Sequence, residues 1–192
     1  MGALAIIAEA FLYPGPGRAA ALRAAAADLA PGAAHDAFKA FVDGVEPLTL
    51  EAWEELYTQT LDLDPYVAPY VGYQTWGERY QRGELLAQLN RAYAVAHIDT
   101  SGELSDHLVP VLRFLDRHRS AAIEPVEPPL MEIVPAALES MRRTLSKRDS
   151  VNAYLHLLEA ALATVSTPLE TGTTPPPRRP PDPIATTEGR RA

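Results

Sequence analysis

An all-α fold, a single-domain antiparallel helical bundle of about nine helices, is predicted by three features of this 192-residue chain. No stretch sustains the two-residue alternation or the β-branched runs that strands need. Alanine- and leucine-rich segments recur with apolar residues three and four apart, which puts a stripe on one side of a helix. Proline and glycine gather between those segments, as at Pro14-Gly15 and Pro31-Gly32, where helices stop. The length suits one domain with a sizeable core.

The elements follow in order. Residues 2–12 have apolar spacing and end at Pro14-Gly15. They lack a basic leading region and contain Glu9, so they read as a core helix and not as a signal peptide. Residues 18–29 are alanine-rich and strongly helix-forming. Residues 33–42 follow and end near Gly44. Thr49 is a good N-cap for 50–61, with Glu51 in the first turn. Asp64-Pro65 suits a cap with proline at the first helical position, and Pro69 can shift or kink that start. Residues 81–97 place Leu85, Leu86, Leu89, Tyr93 and Ala96 on one side. Ser105-Asp106 caps a helix with Leu108, Leu112 and Leu115 in register. Segments 129–145 and 150–165 complete the set. The helical domain thus spans 1–166.

Residues 167–192 differ from the rest. They hold seven prolines, four arginines and three acids, with few large apolar residues, and predict a disordered tail. The tail is net +1 and the body net −9. That acidity argues against nucleic acid, whose phosphates need a basic face. No apolar run is long enough to span a bilayer. The absence of cysteine removes disulfides, thiolate catalysis and cysteine-ligated metals. A cytoplasmic protein that does not insert into membranes is expected.

Residues 40–78 contain eight carboxylates and no Lys or Arg. Among them are Asp62 and Asp64, interleaved with Trp53, Tyr57, Tyr66, Tyr70, Tyr73 and Trp76. Carboxylates hold arginine by charge-assisted hydrogen bonds, and aromatic faces stack on guanidinium. The stretch reads as a surface for a basic, partly apolar peptide. Each residue also has a structural use. Tyr66, Tyr70, Tyr73 and Tyr80 fall at near-helical spacing and suit a core stripe, and Asp62 and Asp64 suit helix capping. Arg79 and Arg82 suit ion pairs with Glu78 and other carboxylates, and Gly83 suits a close helix approach or a break. Asp106 and His107 suit either a partner site or a clamp with Glu103 at a helix start, where losing a first-turn residue costs on the order of 1 kcal/mol. His97, Asp99, Glu103, Asp106 and His107 could ligate metal, but their spacing matches no helical zinc signature, so no metal is expected.

Two motifs stand in sequence. Asp62-x-Asp64 precedes an aromatic segment and then Gly77-Glu78-x-x-x-Arg82-Gly83. Some 20 residues on comes Glu103-Leu104-Ser105-Asp106-His107-Leu108. This arrangement resembles the NarJ/TorD family of chaperones dedicated to molybdenum oxidoreductases. It extends in pattern over residues 1–120 and is sharpest over 56–116. Ser105 stands where that family usually has proline.

The resemblance implies a TorD-like all-α fold of the nitrate reductase delta type, with no catalysis of its own. It implies a partner, the apo catalytic subunit of a molybdenum oxidoreductase, held by its N-terminal segment, which can be twin-arginine-like. Membrane attachment or export then waits for cofactor insertion. The molybdenum cofactor belongs to the client and is not stably bound here. The chaperone would act as a monomer or weak dimer. Candidate partner-binding residues are Trp53, Tyr57, Asp62, Asp64, Tyr66, Tyr70, Tyr73, Trp76, Arg79, Arg82, Glu103, Asp106 and His107. Two other readings compete. One is a permanent helical structural subunit of a redox complex. The other is an enzyme working through Glu103, Asp106 and His107, although no nucleophile sits beside a base in the sequence.

Overall fold

The computed structural model describes residues 1–100, 102–118, 126 and 129–167. Within them the chain forms α1 (Ala3–Ala10), α2 (Arg18–Ala26), α3 (Ala33–Val45), α4 (Leu50–Leu61), α5 (Val71–Trp76), α6 (Tyr80–Ala96), α7 (Leu108–His118), α8 (Leu130–Arg148) and α9 (Tyr154–Ser166). Among the described residues there is no strand, and no helix is long and apolar enough to cross a membrane. The expected disordered tail lies outside the described residues, apart from Thr167.

The core is organised around α9, whose sequence is apolar on nearly every side. Tyr154, Leu155, Leu157, Leu158, Ala160, Ala161, Thr164 and Val165 are all buried. A helix with no polar stripe needs neighbours all round, and α1, α3 and α8 supply them. Phe38 and Phe41 of α3, Trp53 and Tyr57 of α4 and Tyr154 form one buried aromatic cluster. Within it the Trp53 indole N–H donates to the Tyr154 hydroxyl at 3.0 Å.

Several helix ends are set by distant residues. Gly2, at the start of α1, has no side chain to cap with. Asp116 of α7 does it instead, accepting from the Gly2 and Leu4 N–H groups, each at 3.1 Å. Asn152 opens α9: its Oδ1 accepts from the Tyr154 N–H at 3.0 Å, while its Nδ2 donates to Thr60 Oγ1 at 3.0 Å. The helix therefore begins at Tyr154 and not at Ser150. Thr49 caps α4 as the sequence predicts, its Oγ1 accepting from Ala52 N–H at 3.2 Å.

Two expectations need correction. Asp64-Pro65 opens no helix. Asp62 instead closes α4, and Asp64 takes a left-handed φ of 50°. The chain then folds back on α4, with Tyr66 and Val67 N–H donating to Gln59 and Thr60 carbonyls. Pro69 disfavours helix in the residue before it, so α5 starts only at Val71. Tyr66, Tyr70, Tyr73 and Tyr80 consequently share no helical stripe. The second correction concerns α7. Neither Ser105 nor Asp106 caps it; His107 does, its Nδ1 accepting from Val109 N–H at 3.2 Å.

Candidate functional site

The two sequence motifs meet through a backbone bridge. Val71 N–H donates to the Asp106 carbonyl at 2.8 Å, and Leu108 N–H donates to the Pro69 carbonyl at 2.9 Å. Tyr70 and His107 face each other in this isolated antiparallel pairing. Proline at 69 has no N–H to offer, but its carbonyl is free to accept. Gly72 lies where the segments press together. A Cβ there would stand 2.8 Å from Asp106 Oδ2 and 3.1 Å from Arg82 Cγ.

Arg82 fastens the junction. Its Nε donates to Asp106 Oδ2 at 2.9 Å and its Nη1 donates to Glu78 Oε1 at 3.0 Å. Asp106 is fully buried, while Glu78 is exposed. The guanidinium carbon also lies 5.5 Å from the Tyr70 ring centre and 5.4 Å from that of Tyr73. Burial works against the Arg82 charge, but the hydrogen bond and charge of Asp106 outweigh it and hold the group more firmly protonated. The candidate arginine is thus itself held between carboxylates and aromatic faces.

Beside this junction lies a small cavity of about 190 Å³. Tyr57, Asp62, Tyr70, Glu103 and His107 line it, together with Phe11, Leu12 and Tyr13 from the end of α1 and Leu61 from α4. The Tyr70 hydroxyl donates to Glu103 Oε2 at 2.9 Å, and the Tyr57 hydroxyl donates to the Phe11 carbonyl at 3.2 Å. Tyr13 sits edge-on against Tyr57, with ring centres 5.1 Å apart. Burial, and then the negative charges of Glu103 and Asp62, push the Tyr57 hydroxyl up to about 12. Burial and the hydrogen bond to Glu103 likewise raise Tyr70. Both hydroxyls therefore stay protonated as donors. Burial pushes His107 below its ordinary value, against the opposing pull of Glu103 and Asp106. The imidazole is neutral at pH 7. Because Nδ1 accepts from Val109, the proton sits on Nε2.

The other candidates are dispersed. Trp53 is buried in the aromatic cluster and presents no side-chain surface to a partner. Tyr66 packs partly buried against the core, 5.7 Å from the Arg148 guanidinium carbon. Trp76 is half-buried, Tyr73 is 41% exposed, and Asp64 and Arg79 are exposed. Gly83 is exposed, with no atom near an added Cβ, so it serves no close approach. Sequence reasoning missed Phe11, Leu12, Tyr13 and Gly72. The aromatic pair flanking Leu12 just before Pro14-Gly15 was a usable signal for the first three. Gly72 had none. Among the described residues no group of three or more His, Asp or Glu side chains is arranged to hold a metal ion.

No family model, no curated protein and no solved structure matches the chain.

Proposed function

We propose that this chain is a system-specific chaperone of the NarJ/TorD type, with its helices in the antiparallel TorD-like arrangement. It works in the cytoplasm without catalysing a reaction. It holds the N-terminal segment of the apo catalytic subunit of a molybdenum oxidoreductase until cofactor is inserted. The observation that carries this reading is the contact between the motifs. Arg82 of the first pairs with Asp106 of the second at 2.9 Å, and the acid- and tyrosine-lined cavity adjoins them. The contact brings residues of both motifs into one place, which supports the resemblance.

The size of the cavity supports a peptide side chain as occupant. At about 190 Å³ it falls below the roughly 300–1,000 Å³ of small-molecule and cofactor pockets. Glu103 and Asp62 supply negative charge, and Tyr13, Tyr57 and Tyr70 supply faces against which an arginine or an apolar side chain can lie. Binding is favoured over catalysis because the lining contains no Ser, Thr or Lys among the described residues. Its buried tyrosines, moreover, are shifted away from the ionised form.

The test is calorimetry of the purified chain with a synthetic N-terminal peptide of the candidate client, expected to give a micromolar or tighter Kd. Absence of heat, with no resonance shifts around Tyr57, Tyr70 and His107, would overturn the reading. A lasting 1:1 complex with the mature, cofactor-loaded enzyme would instead identify a permanent structural subunit.

A further inference from the structure

We propose that the cleft between α1 and α2 is a binding site for an apolar monocarboxylic acid, with its carboxylate on Arg18 and its hydrocarbon body against Ile6, Ala21, Leu22 and Ala25. The cleft is open to solvent on one side and has a volume of about 450 Å³, within the ordinary range for small-molecule sites. It shares no lining residue with the cavity beside His107. The site is thus separate from the chaperone reading and does not rest on it.

The lining is mainly aliphatic because α2 turns alanines toward it where a core helix would carry larger side chains. Two charged side chains lie on it, Glu9 and Arg18. The Glu9 carboxylate is ion-paired with Arg113 at 2.7 Å, which neutralises the acid that would repel an anion. Arg18 differs. Its Nη1 donates to the Glu9 carbonyl at 3.0 Å, and among the described residues no carboxylate lies within ion-pair distance of its guanidinium. A guanidinium carries five N–H donors, so most of its hydrogen-bonding capacity remains open. The C-terminal end of α1 favours this cation, since the Glu9 carbonyl belongs to its last turn, but no carboxylate partner among the described residues neutralises it, so the half-buried guanidinium presents net positive charge beside the apolar cleft. A carboxylate supplies that partner through paired N–H···O bonds. An amine is repelled by Arg18, and a dicarboxylate would press its second charge on aliphatic walls.

Titration calorimetry of the full chain with octanoate, below its micellar range, tests the site, with octylamine as the control of equal length. One octanoate per chain is expected, with no heat from octylamine. Arg18→Gln should weaken octanoate at least tenfold, and Arg18→Lys, which keeps the charge but loses the paired geometry, should weaken it by less. Ala21→Phe fills the cleft from an exposed position and should abolish binding with the melting temperature unchanged, so the proposal stands on that variant even if Arg18→Gln unfolds the chain. Equal binding of acid and amine, unchanged affinity in Ala21→Phe, or no heat up to millimolar octanoate would overturn it. Client-peptide affinity should not change with octanoate, which keeps this outcome separate from that of the chaperone reading.

Discussion

Arg82 and Asp106 form an ion pair 24 residues apart in sequence, with the carboxylate fully buried and the side chain of Arg82 only 11% exposed. The pair ties the start of α6 to the loop before α7, and Tyr70 and Tyr73 lie on the guanidinium. From sequence, Asp106 reads as a first-turn residue with about 1 kcal/mol at stake. Its burial changes that expectation, since removing one partner of a buried pair costs about 3–5 kcal/mol. Asp106→Asn or Arg82→Gln should therefore lower unfolding free energy by about that much in denaturant titrations. Replacing both by Leu and Met should be milder than either single change. If the proposed function holds, loss of client maturation in Asp106→Ala would then report on folding and not on partner contact.

Gly72 and Gly83 should respond to alanine with opposite signs. Alanine in a helix is favoured over glycine by about 1 kcal/mol. Gly83 has open space around it and should gain about that much. A Cβ on Gly72 would push into Asp106 and Arg82, and crowding of this kind costs about 1–3 kcal/mol. Thermal melts of the two variants check the contrast.

His107 should make stability depend on pH. Its folded pKa lies below the unfolded value near 6.5. The unfolded chain therefore binds the extra proton first as pH falls. The contribution from neutral His107 is complete above about pH 6.5 and declines below it, with a slope no steeper than about 1.4 kcal/mol per pH unit for one proton. Protonation of Nδ1 would also break the cap on Val109. His107→Asn keeps a capping oxygen and should flatten this part of the pH profile, as read from melts between pH 5 and 8.

Asp62→Asn should leave stability unchanged or slightly higher. The residue stands at the C-terminal end of α4, where a negative charge is disfavoured by about 0.3–1 kcal/mol. If the proposed function holds, the same change weakens client-peptide binding and reduces its salt dependence, because the removed attraction is the part that salt screens. Calorimetry at two ionic strengths reads both effects.

Trp53→Phe should do the reverse. It removes the indole donor to Tyr154 and leaves a buried hydroxyl short of a partner, a loss of about 1–3 kcal/mol. If the proposed function holds, client-peptide affinity should stay the same in the folded variant. An affinity loss without destabilisation would return Trp53 to the binding surface.

Most helices were legible because each carries its own punctuation. Thr49 before α4 and Pro-Gly after α1 act within a few residues of the ends they set. The acid and tyrosine content of 40–78 was equally plain, and part of it, Tyr57, Asp62 and Tyr70, does line one cavity. Composition could not sort these residues. Trp53 and Tyr57 lie one helical turn apart on α4, yet the first is enclosed by Tyr154 and the second reaches the cavity. The difference lies in what α9 and the end of α1 place opposite them. The helix expected after Asp64-Pro65 failed for a similar reason. Local propensity favoured it, but backbone bonds from Pro69 and Val71 to Leu108 and Asp106 hold that segment extended. The sequence by itself determined an acidic, cysteine-free chain, the helical character of the described residues and the position of nearly every helix there, because periodicity and caps are local. Only the tertiary structure decided that Asp106 is buried on Arg82, that His107 is the cap, and that Phe11, Leu12 and Tyr13 close the cavity. Those outcomes depend on which distant segment occupies the other side of each residue.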